Sequence, residues 1–171
     1  MMPNRNNKKI DYSSLSPQER YDRALADAAQ QLSYRPLSQQ ALRDKLTGKG
    51  HGGDEADYAV AWLLERGYLS DERLAESAVQ SYTRRGYGSL RIRQELRRKG
   101  IGEETAQAVL DDCEPDMEVM HKLIDKRLHG DLSDRREVGK TVAALQRRGY
   151  KWEEIRRALN TYGADIEADF D

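Results

Sequence analysis

The chain has 171 residues, 29 of them basic and 30 acidic, for a net charge of −1, and only 37% are hydrophobic against 35% charged. Folding at this length buries roughly 70% of the unfolded surface, but with one Phe and two Trp the apolar residues must form narrow stripes on thin elements, which excludes a thick β-sandwich or a doubly wound sheet. Cys113 is the only cysteine, which excludes an internal disulfide; no run approaches the roughly 20 apolar residues of a bilayer span, and the first residues lack the apolar core of a signal peptide, so the cytoplasm is the expected compartment.

Residues 1–15 carry a charge of +2 and read as a disordered lead segment. Ser16, Pro17, Gln18 and Glu19 then form a capping box, with serine at the cap and proline at the first helical position. The helix they open carries Tyr21, Leu25, Ala28 and Leu32 along one face and ends before Arg35 and Pro36. Leu37 and Leu42 flank Ser38 as a hydrophobic staple for a second helix reaching about Thr47. Gly48 to Gly53 is a flexible connector, and a third helix runs from Asp54 to Arg66 with Ala59, Trp62 and Leu63 inward.

The same plan returns after Ser70, where Leu69 and Leu74 form another staple and a helix covers Asp71 to Arg84. The most unusual stretch follows. Between Arg84 and Lys99 stand seven basic residues and one carboxylate, Glu95, a local charge of +6 in a nearly neutral chain. Gly86, Gly88 and Ser89 break and restart the backbone there, with Ser89 placed to accept from the free N–H groups of a new first turn. The resulting helix spans about Leu90 to Lys99 and is ended by Gly100. Ile92 and Leu96 share its narrow apolar face, Arg93 and Arg97 lie along one flank, and Arg91 and Arg98 lie on the far side. Like charges three and four residues apart weaken an isolated helix, so such a pattern points to an anionic or acidic partner.

Glu103 to Asp112 forms the sixth helix. Met117, Met120, Ile124 and Leu128 make a seventh helical stripe, and Ser133 to Arg148 and Lys151 to Tyr162 supply the eighth and ninth. The tail 163–171, with Asp165, Glu167, Asp169 and Asp171, carries a charge of −4 and suits a solvated acidic extension. No segment alternates with period two, so the predicted class is all α.

A shift of 50 residues places Leu42, Arg43, Leu46, Lys49 and Gly50 on Ile92, Arg93, Leu96, Lys99 and Gly100. A further shift of 49 places Leu96, Lys99 and Gly100 on Leu145, Arg148 and Gly149, and Ala106, Val109 and Leu110 on Ile155, Ala158 and Leu159. Register held over three helices per unit argues for true repetition. The predicted organisation is three tandem three-helix repeats, 16–67, 68–114 and 115–162, stacked into an elongated, curved molecule. Leu42, Ile92, Leu96, Leu123, Leu145 and Leu159 are the expected core.

Catalytic constellations are not expected. His51 lies among glycines, His121 and His129 stand eight apart, Cys113 precedes Glu114 and Pro115, and none has metal-ligand spacing. Gly48 to Gly53 lacks the GxxxxGK[ST] pattern of a phosphate loop. The carboxylate pairs Glu103–Glu104 and Glu153–Glu154 sit at helix starts, where they complement the dipole. No metal or other cofactor is implied.

The run Gly86, Tyr87, Gly88, Arg91, Ile92, Arg93, Glu95, Leu96, Lys99 and Gly100, in RRGYGSLRIRQELRRKGI, closely resembles the central signature of the RecX family of bacterial recombination regulators. More weakly, the likeness extends over about Ser16 to Tyr162. It implies a small non-enzymatic monomer, active in homologous recombination, DNA repair and the SOS response, that lies in the groove of the RecA recombinase filament on single-stranded DNA. There it would restrain ATP hydrolysis, strand exchange and filament growth, and it would also bind DNA directly, single- or double-stranded. The contact surface implied on this chain is Arg84, Arg85, Tyr87, Arg91, Arg93, Arg97, Arg98 and Lys99, with Arg147, Arg148, Lys151, Arg156 and Arg157 as a second patch. A different class, a stand-alone nucleic-acid-binding helical module, stays open. The turn at Gly86 is similar to a helix-turn-helix, although Gln94 alone offers base-reading chemistry.

Overall fold

The computed structural model describes residues 12–163. Of the expected lead segment 1–15 only its last four residues fall in this range, and Asp165, Glu167, Asp169 and Asp171 fall outside it. Among the described residues there are nine α-helices and no strand: α1 (Pro17–Tyr34), α2 (Gln39–Gly48), α3 (Gly53–Glu65), α4 (Asp71–Arg84), α5 (Ser89–Arg98), α6 (Glu103–Asp111), α7 (Met117–Leu128), α8 (Arg135–Arg147) and α9 (Trp152–Tyr162). Ser16 caps α1 with the expected reciprocal bonds to Glu19. Helices α1–α3, α4–α6 and α7–α9 each enclose a separate hydrophobic cluster. Between Ser70 and Asp71 the chain divides into two compact units, the first holding repeat one and the second holding repeats two and three.

The glycine shared by the three repeats has a physical cause. Gly50, Gly100 and Gly149 follow α2, α5 and α8 with φ of 103°, 80° and 89°, the left-handed region that a helix C-terminus needs in order to reverse. The next N–H, of His51, Ile101 or Tyr150, then returns to the carbonyl of Leu46, Leu96 or Leu145, and that residue's side chain turns into its core. All three are buried.

Repeat one therefore places a histidine where the other two place an apolar or aromatic residue. His51 is answered by a buried carboxylate, Asp27, with Nε2 to Oδ2 at 2.8 Å. Lys49 at 3.4 Å and Arg23 at 3.8 Å stand beside the same carboxylate. Burial pushes the Asp27 carboxyl up, but the His51 bond and the two cations outweigh it and hold it below the usual range. Gly48 to Gly53 is thus no loose connector: its middle is pinned to α1.

Two expectations for the core are corrected. The buried line of α1 runs through Ala24 and Ala28, while Tyr21, Leu25 and Leu32 are half-buried at its margin, because small residues let α1 approach α3 closely. Leu42, Ile92, Leu96, Leu145 and Leu159 are buried as expected, but Leu123 is half-buried. It packs against the margin of its own core and also faces Gly86, where an added Cβ would lie 2.9 Å from Leu123 Cδ1, so it is shared between that core and the junction of repeats two and three.

Repeats two and three meet backbone to backbone. The Gly88 N–H donates to the Arg148 carbonyl at 2.9 Å, and the Leu90 N–H to the Gly149 carbonyl at 3.1 Å. A Cβ on Gly149 would stand 2.3 Å from the Arg91 nitrogen, and one on Gly88 2.3 Å from the Gly149 oxygen. Gly149→Ala combines left-handed strain of about 1–2 kcal/mol with loss of these two bonds at about 1 kcal/mol each. Its expected cost is about 3 kcal/mol, or roughly 15 °C in the melting temperature of the second unit. Gly130→Ala, also left-handed at φ 80° but with nothing within 4 Å of its Cβ, should cost about 1 kcal/mol. Equal losses in calorimetry would show that the close approach contributes nothing.

Candidate partner and nucleic-acid interface

The basic helix α5 is seated on the end of α8. Ser89 was the expected cap, but Gly88 holds that place and no side chain caps the helix; the Ser89 hydroxyl is buried without a hydrogen-bond partner. The carbonyls of Arg148 and Gly149 do the capping instead, so the start of α5 depends on repeat three. Arg148 completes the junction by donating Nη1 to the carbonyls of Arg85 at 3.3 Å and Gly86 at 3.1 Å. The guanidinium groups of Arg85 and Arg148 each lie 5.6 Å from the half-buried Tyr87 ring, and Tyr82 meets that ring edge-on at 5.9 Å. Arg85, Tyr87 and Arg148, from two different expected patches, are thus one cluster.

The four α5 arginines are less unbalanced than their sequence suggests. Arg91 and Arg98 share Glu95 at 3.0 and 3.1 Å, and Arg93 and Arg97 share Glu103 of α6 at 2.6 and 3.3 Å. Hydrogen bonds from Arg97 and then Arg93 hold the Glu103 carboxyl below the usual range. Glu103 therefore does more than complement a helix dipole. Two carboxylates against four guanidiniums leave a net +2, and surface pairs of this kind contribute only about 0–1 kcal/mol. Arg97 and Arg98 are each 72% exposed and Lys99 is exposed beside them, so the end of α5 can exchange its internal partners for external anions.

Other expected contact residues lie elsewhere. Arg84 lines a groove between α4 and α6. Arg157 faces Glu114 at 3.6 Å, while Arg147, Lys151 and Arg156 are exposed around the start of α9 and the end of α8. Sequence reading passed over Lys126 and Arg127, which line a cleft of about 310 Å³ with Arg148 in repeat three. Their signal was a basic pair at the end of the Met117–Leu128 stripe. Among the described residues no group of three or more His, Cys, Asp or Glu side chains is arranged to hold a metal ion, and no helix is long and apolar enough to cross a membrane.

Three family models match this chain in order: the first three-helix domain of RecX over residues 24–63, the second over 70–110 and the third over 114–159. The chain belongs to the RecX family. The regulatory protein RecX of Vibrio cholerae is 39% identical over 143 residues, covering 81% of this chain and 92% of the relative. That of Vibrio vulnificus is 36% identical over 135 residues, covering 78% and 88%. The crystal structure of RecX from Lactobacillus salivarius shares the fold with a TM-score of 0.79 at 21% identity, over 85% of this chain and 97% of that one. The matched RecX domains correspond to α1–α3, α4–α6 and α7–α9, and the relatives carry the name of regulatory proteins.

Proposed function

We propose that this chain is a non-enzymatic, monomeric cytoplasmic regulator that binds the RecA recombinase filament on single-stranded DNA and inhibits its ATP hydrolysis, strand exchange and growth. Its RecX membership carries the reading, and the cationic end of α5 supplies chemistry suited to it. In this reading Arg84, Arg85, Tyr87, Arg91, Arg93, Arg97, Arg98 and Lys99, with Arg147, Arg148, Lys151, Arg156 and Arg157, make the contact surface. Arg97, Arg98 and Lys99 reach phosphates or filament carboxylates, whereas Tyr87 and Arg148 hold α5 in position. The test is single-stranded-DNA-dependent ATP hydrolysis by the recombinase, which the chain should suppress at less than one molecule per protomer; an unchanged rate at equimolar chain overturns the reading.

Direct DNA binding should be sequence-tolerant and salt-dependent, because arginines that meet phosphates release counterions. About four phosphates met by the Arg84–Lys99 segment give a log–log salt slope near −3 on a single strand, and Arg97→Ala with Arg98→Ala should make it shallower by about one unit. A slope equal to wild type in a fluorescence titration would assign these arginines to a protein surface instead.

A further inference from the structure

A groove of about 680 Å³ lies in repeat two, between α4 and α6. Its lining includes Val79, Val109 and Cys113, with Glu72 and Glu76 from α4, Asp112 and Glu114 after α6, and the cation Arg84; Arg157 stands 3.6 Å from Glu114. The other repeats carry an aromatic residue at one of the corresponding positions. In repeat three the counterpart of Cys113 is Tyr162, whose hydroxyl donates to Asp125 at 2.6 Å, and Asp125 is the counterpart of Glu76. In repeat one the counterpart of Asp112 is Trp62, packed against that repeat's core with the Arg66 guanidinium 3.8 Å above it. Repeat two has a small thiol and a carboxylate at these two positions. Its α6, at nine residues, is also shorter than α3 at 13 and α9 at 11.

From this we infer that the α4–α6 groove is a docking site for a basic amphipathic helix of the chain's protein partner. Its apolar floor between two helices is the shape that receives an amphipathic helix. The rim decides the sign: with Glu114 already facing Arg157, Glu72, Glu76 and Asp112 still outnumber Arg84, a net negative rim that repels a phosphate backbone and attracts lysines and arginines. Glu72 and Glu76 stand one turn apart on α4, about 6 Å along the axis, the same spacing as two basic residues four apart on the incoming helix. Repeat two thus offers cations on α5 to anions and an acidic groove to a basic protein segment. That the segment belongs to the recombinase rests on the function proposed above.

Cys113, the only cysteine, makes the groove directly readable. The probe is an 18-residue amphipathic helix of leucine and lysine, added to the full chain while Cys113 alkylation by iodoacetamide is timed. We expect at least roughly fivefold slower alkylation and tight peptide binding by anisotropy, both lost in the folded variant Glu76→Lys/Asp112→Lys, with no effect from a leucine–glutamate peptide. Binding of the basic peptide without protection of Cys113, or equal protection by single-stranded DNA alone, overturns the proposal. A second arm replaces the peptide with preformed recombinase filament. Protection there, lost in the same variant, places the segment on the recombinase. Inhibition without protection refutes that assignment and leaves the proposed function standing, while absence of any inhibition refutes the proposed function and leaves the peptide result to judge the groove. Protection that rises with chain concentration in the absence of any probe would make the occupant a second copy of the chain and overturn the heterologous reading.

Discussion

Leu96→Asp should remove most of the stability of the second unit. Leu96 is fully buried among Ala75, Val79, Ile92 and Ile101, and its carbonyl closes the turn at Gly100. An unpaired carboxylate there forfeits both the packing of the leucine and the solvation of a charge, at least about 4 kcal/mol against a total of roughly 5–15 kcal/mol. The melting temperature should fall by more than about 15 °C. Because the start of α5 is capped by repeat three, the loss should reach α7–α9 as well, and circular dichroism should lose more than the share of one repeat. A melt unchanged from wild type would remove Leu96 from the core.

Replacement of Arg91, Arg93, Arg97 and Arg98 together by Ala should leave the fold in place and strip the chain of its effect on the filament. The pairs with the half-exposed Glu103 are surface pairs of small value, the less exposed Glu95 loses two partners at a cost small against the whole fold, and alanine is the better helix former. At about 0.5–1 kcal/mol for each ion pair that no longer forms with the filament, the concentration for half-inhibition should rise roughly 30-fold or more. Inhibition at wild-type concentrations by a variant with unchanged helical signal would move the functional surface off α5.

How far the sequence could be read follows from which interactions are local. Capping at Ser16, the helix stops at Gly50, Gly100 and Gly149, and the Ile92–Leu96 face depend on residues three to six apart, so their patterns were visible. The α4 bounds, Asp71 to Arg84, match residue for residue. What escaped depends on residues far apart in the chain. Ser89 gave way to Gly88 because the cap comes from α8, some 60 positions on, and Leu123 sits at the margin of its own core, shared with the same junction. Charge counting along α5 could not find Glu103, which α6 brings back against Arg93 and Arg97. His51 was readable in principle: its alignment with Ile101 and Tyr150 marks a core position, and a buried histidine calls for a partner such as Asp27. The groove beside Cys113 is legible only by comparison of the repeats, where Tyr162 stands at the counterpart of Cys113 and bonds Asp125.

A plain DNA binder could also suppress a recombinase by sequestering its strand, so the measurement that most directly tests regulation of the filament is a challenge experiment. Preformed filaments are inhibited with the chain, excess free single strand is added, and ATP hydrolysis is followed. Contacts to successive protomers and to the strand act on one body and multiply in effective affinity, so inhibition is predicted to survive the free DNA. Full recovery of hydrolysis on adding free strand would contradict it and leave a nucleic-acid-binding module without a recombinase partner.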